Sequence, residues 1–110
     1  MSRLAASAVL LALALAGCNR TASGPPASPP GTIPGITPST FRLPDGSGCA
    51  GEIARFEAVL RNDVDTGNVG QKVYDRATPE LNRASSTCSA GREGEALAQL
   101  AATKARYGYR

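Results

Sequence analysis

Two apolar stripes mirrored about a polar turn constrain this chain more than any other feature. Cys49, Ile53, Phe56, Leu60 and Val64 recur at intervals of four, three, four and four, the spacing of one face of an α-helix. Val69, Val73, Ala77, Leu81, Ala84 and Cys88 recur at four, four, four, three and four. Between the stripes lies Asp65-Thr66-Gly67-Asn68. Gly67 suits the left-handed residue that ends a helix. Asn68, with Gln71 three residues later, suits a capping box for the next one. Helices joined by so short a turn run antiparallel, so residues equally far from the turn lie side by side. This predicts Ile53 opposite Ala84, Phe56 opposite Leu81, Leu60 opposite Ala77 and Val64 opposite Val73. Large side chains mostly face smaller ones, as interdigitated packing requires. Pro79 interrupts the second stripe: it cannot donate to the Asp75 carbonyl and its ring crowds that turn. A kink near Thr78, or a break with Pro79 opening a new segment, is expected.

A third helix is expected from about Arg92 to Tyr107, after the turn Ser89-Ala90-Gly91. Glu93 and Glu95 sit at its positive start, Lys104 and Arg106 at its negative end. Leu97, Leu100, Ala101 and Tyr107 make its expected packing stripe, Gly94 weakens its first turn, and Gly108 stops it. The expected fold is all-α: a helical hairpin over residues 41–110 completed by a C-terminal helix.

The N-terminus is organised differently. Arg3 precedes an apolar run from Leu4 to Leu15. The run is shorter than the ~20 residues a spanning helix needs and suits the core of a cleavable signal peptide. It ends in Leu15-Ala16-Gly17-Cys18, which resembles the lipobox of bacterial lipoproteins. The resemblance covers residues 1–18 and implies cleavage after Gly17, a diacylglycerol on the Cys18 thiol and acylation of the new amino group. Two or three acyl chains make membrane attachment effectively permanent, whereas one binds only marginally. Asn19, where an aspartate would retain an enteric-type lipoprotein at the inner membrane, favours the outer one.

Export into an oxidising compartment leads cysteines to pair. With Cys18 lipidated, only Cys49 and Cys88 remain. Their midpoint falls between Asn68 and Val69, inside the expected turn, so a disulfide between them would staple the open end of the hairpin. In the chain-entropy model such a loop closure contributes roughly 4 kcal/mol, much of what a domain this small can muster. Residues 18–40 carry the lipidated cysteine and a Pro/Gly/Ser/Thr-rich stretch, expected to be a disordered tether with a reach of roughly 25 Å as a coil.

Little in the sequence points to catalysis. There is no histidine, which removes the commonest general base and metal ligand. Ser85, Ser86, Thr87 and Ser89 lack a motif that would activate a hydroxyl. Cys49 and Cys88 lack the close spacing of a redox pair. Asp63 and Asp65 begin something like a calcium loop, but Gly67, Asn68 and Tyr74 occupy its fifth, sixth and twelfth positions, so the oxygen cage is incomplete. No metal, cofactor or catalytic residue is expected. The net charge of +3 is too diffuse for a dedicated nucleic-acid binder. The candidate contact surface is the basic-aromatic end, Lys104, Arg106, Tyr107, Tyr109 and Arg110, which offers cations to phosphates or carboxylates and amphipathic rings beside them. The expectation is a non-enzymatic structural or adaptor protein, held to the membrane by its lipid on the periplasmic side of the envelope, contacting an envelope protein or the cell wall. The alternative is an accessory lipoprotein of a secretion or conjugation machine.

Overall fold

The computed structural model describes residue 31 and residues 33–110. The expected signal peptide and Cys18, with most of the expected tether, lie outside the described residues. Three helices follow in order: α1, Gly48–Asp65; α2, Gln71–Ser89; and α3, Glu93–Arg106. Among the described residues no helix is long and apolar enough to cross a membrane.

The hairpin forms as its stripes require. Ile53, Phe56 and Leu60 from α1 share one buried cluster with Ala77, Leu81 and Ala84 from α2, and Leu100 of α3 closes it. Cys49 and Cys88 are joined by a disulfide with their Cα atoms 5.9 Å apart. Val64 and Val73, at the turn end, are only partly buried. At that end Gly67 takes φ +77°, and the Thr66 hydroxyl donates to the Asn62 carbonyl at 2.7 Å. α2 packs extensively on both neighbours, and the contact between α1 and α3 is thinner.

Three local expectations change. Asn68 does not cap α2; its side-chain amide donates to Thr66 Oγ1 at 3.1 Å, and Gly70 occupies the cap position. Gln71 reaches forward to Asp75 Oδ1 at 2.8 Å instead of back. Of the two outcomes expected at Pro79, a kink or a break, the break does not occur: α2 continues through it. The residue before it, Thr78, bonds its hydroxyl to the Tyr74 carbonyl at 2.8 Å, and the packing of Ala77, Leu81 and Ala84 on both sides holds the helix together against the missing donor. α3 is rotated from the expected stripe. Its buried residues are Ala96, Leu100 and Thr103, with Tyr107 packed against the cluster; Ala101 faces solvent and Leu97 is only half-buried. Thr103 can face inward because its hydroxyl lies 3.0 Å from both Glu80 Oε2 and the Gln99 carbonyl, so that hydroxyl keeps its partners when buried.

The tether expected over residues 18–40 also needs correction at its end. From residue 33 the chain is held against α1. Gly35 N–H donates to the Thr66 carbonyl at 2.6 Å, and the buried Asn62 amide donates to Thr37 Oγ1 at 3.0 Å. Further along, Arg55 donates to the Gly46 carbonyl at 2.7 Å. Residues 33–47 therefore form an extended strap that runs from the C-terminal end of α1 to its N-terminal end. Gly46 crosses so close to Gly51 that a Cβ on Gly51 would sit 2.5 Å from the Gly46 carbonyl carbon. Only glycine fits there.

Candidate functional site

Glu93 lies in the first turn of α3, where its charge suits that helix's positive end. It also reaches α1: its Oε1 accepts from the Cys49 backbone N–H at 3.2 Å. No side chain caps α1 from its own N-cap residue, Ser47. One carboxylate thus serves two helix N-termini beside the disulfide.

The candidate contact surface divides in two. Arg106 and Tyr107 turn toward α2. There Glu80 Oε1 accepts from the Tyr107 hydroxyl at 3.0 Å and pairs with Arg106 at 2.5 Å, with Thr103 on the other oxygen. Burial pushes the Glu80 carboxyl up, but hydrogen bonds from Arg106, Tyr107 and Thr103 outweigh it and hold the carboxyl below its usual range. Desolvation, then the Glu80 carboxylate, raises the Tyr107 phenol. Tyr109 turns the other way. Gly108 takes φ +82° and the Tyr109 N–H returns to the Lys104 carbonyl at 2.8 Å, which swings the ring onto α1. It packs edge-on to Phe56 with centroids 4.9 Å apart, and its hydroxyl donates to Asp63 Oδ2 at 2.7 Å. Burial first, then that carboxylate, pushes the Tyr109 phenol well above its usual value. Both tyrosines are spent on closing the bundle. Neither offers a hydroxyl to a partner.

Lys104 and Arg110 remain as open cations. Among the described residues neither pairs with a carboxylate, and Lys104 Nζ lies 5.9 Å above the Phe56 ring. They border a groove of about 540 Å³ between α1 and α3. Leu97, Leu100, Ala101 and Ala105 supply its apolar floor, Tyr109 one wall and Glu52 an acidic edge. The groove exists because α3 is rotated: Leu97 and Ala101, expected in the core, open onto it. A second hollow of about 490 Å³ between α1 and α2 is lined by Pro44, Ala54, Ala58 and Tyr74 among others. Arg61 stacks 4.3 Å from the Tyr74 ring there and donates to its hydroxyl.

The roles of Glu80 and Asp63 carry no sequence signal. Each is one acidic residue among several on an amphipathic helix, and the Thr103 and Tyr109 hydroxyls they hold lie 23 and 46 residues away. Asp63 and Asp65 lie in the last turn of α1, just before the interhelix turn; Asp63 holds Tyr109 through its carboxylate and Val69 N–H through its carbonyl. Among the described residues the arrangement offers packing surfaces and fixed charges, with no nucleophile seated against a base.

Comparison with protein-family models, with curated proteins and with solved structures gives no match.

Proposed function

We propose that this chain is a lipid-anchored protein of the bacterial cell envelope, and that its small helical domain is a non-enzymatic adaptor for another envelope component. The observation that carries this reading is Leu15-Ala16-Gly17-Cys18 at the end of the apolar run. The Cys49–Cys88 disulfide supports it independently, because such bonds persist in oxidising compartments and this one leaves Cys18 as the unpaired sulfur. In this reading cleavage before Cys18 and its acylation hold the domain at the membrane, the outer membrane by the identity of Asn19. The partner is an envelope protein or the cell wall, and the groove between α1 and α3 is assigned to it: an apolar floor with Lys104 and Arg110 on its border suits an acidic, partly apolar segment.

Two experiments test this. A Cys18→Ser variant should leave the membrane fraction for the soluble one; unchanged membrane attachment would reject the anchor. Mild cross-linking in membranes, followed by purification, should recover an envelope partner from the native chain and lose it with Ala101→Arg, which fills the groove. Hydrolysis of cell-wall or lipid substrates by the purified protein would overturn the non-enzymatic assignment.

A further inference from the structure

The large hydrophobic side chains that stay exposed among the described residues all lie on the strap: Ile33 at 61 %, Ile36 at 56 % and Leu43 at 50 %. Ile33 and Ile36 differ from Leu43 because they close a tight turn. Ile36 N–H donates to the Ile33 carbonyl at 3.0 Å, and the two residues form an antiparallel bridge. Pro34 and Gly35 occupy the corners, Gly35 with φ +78°, the residue pattern of a type II turn. Residues paired across such a bridge project their side chains from the same face. The turn is fastened from behind by Gly35 to Thr66 and by Thr37 to Asn62. Two branched aliphatic side chains are therefore held outward at the end of the bundle where α1 meets α2, opposite the disulfide.

We propose that the Ile33-Pro34-Gly35-Ile36 turn is a membrane-contact knob that rests in the interfacial layer of the bilayer holding Cys18. The location rests on the lipid-anchor reading above. Residues 19–32 alone separate Cys18 from the knob, and a stretch of that length spans at most about 50 Å even fully extended. A tether of that length keeps the knob at a local concentration on the order of millimolar with respect to the lipid surface. Burying the exposed parts of two isoleucines then favours contact by roughly tenfold or more, although the same contact would be too weak to bind an untethered protein. The charges at this end are mixed, Lys72 and Arg76 against Asp63, Asp65 and Asp75. The contact is therefore apolar in character, and salt or anionic lipid should change it little. Seated this way, the domain points its turn end at the membrane and its disulfide end away, and the groove between α1 and α3 opens sideways to partners.

The chain has no tryptophan, so Ile36→Trp introduces a single fluorescent reporter at an exposed position. In the oxidised mature chain Cys18 is the one free thiol. Coupling it to a maleimide headgroup in phosphatidylcholine vesicles makes the assay independent of whether cells acylate it. Lipid brominated on its acyl chains should quench this reporter by at least about twofold, with blue-shifted emission, and high salt should not reverse either effect. A Leu43→Trp reporter, further up the strap, should stay unquenched. An unquenched Ile36→Trp, or equal quenching of both reporters, would overturn the knob. So would quenching that needs phosphatidylglycerol and disappears in salt, or a reporter that is buried only when envelope protein is added. None of these results touches the anchor, which is tested separately by the Cys18→Ser fractionation and by the lipid on native Cys18.

Discussion

Removing the disulfide should cost this domain from about a third to all of its stability. The bond joins residues 39 apart in sequence, and constraining a loop of that length in the unfolded chain contributes about 4 kcal/mol. A domain of this size has a total stability of roughly 4 to 11 kcal/mol. Its unfolding entropy, at about 2 cal/mol/K per residue, converts the loss into a fall in melting temperature of about 25 °C. The measurement is thermal unfolding of the mature chain by far-UV circular dichroism, with and without a phosphine reductant, alongside titration of free thiols. The double variant Cys49→Ala/Cys88→Ala should melt near the reduced protein and ignore the reductant. A midpoint that moves by less than about 3 °C when both thiols are demonstrably free would refute the entropic reasoning. Packing of Ile53, Phe56, Leu60 and Leu81 would then suffice alone.

The close crossing of Gly46 over Gly51 makes Gly51→Ala destabilising by about 1–3 kcal/mol, because the obstacle is backbone and cannot rotate away; urea denaturation measures it, and a neutral result would place the strap elsewhere. Glu93→Ala should cost about 1 kcal/mol by leaving the Cys49 N–H uncapped, and Glu93→Gln should recover part of it. The Glu80 carboxyl sits below its usual value of 4.5 in the folded chain. Its contribution is therefore complete above that pH and is lost as pH falls through the lowered value. Glu80→Gln should lower the melting temperature by a few degrees at neutral pH and flatten the acid limb of the stability profile; an unchanged acid limb would exclude Glu80 as its source.

The hairpin was legible because its two stripes are long and because the positions of Cys49 and Cys88 independently confirm its centre. α3 was harder. Leu97 and Ala101 look like core residues by type, and Thr103 does not. What turns Thr103 inward is a carboxylate on another helix, Glu80, which no local pattern announces. The same limit explains the contact surface. Tyr107 and Tyr109 read as free amphipathic side chains until Glu80 and Asp63 claim their hydroxyls. The strap escaped detection because its Pro, Gly, Ser and Thr content is that of an unfolded linker. The contacts that order it run to Thr66, Asn62 and Arg55, none of them a neighbour in sequence. Lys104 and Arg110 were recognisable as exposed cations, but the groove they border depends on the rotation of α3.

The most direct test of the central claim is the intact mass of the protein extracted from native membranes. The account predicts a chain that begins at Cys18, carries a diacylglyceryl group with an amide-linked acyl chain, and is lighter by the two hydrogens of one disulfide. An unprocessed chain beginning at Met1, with no lipid and three reduced thiols, would contradict it.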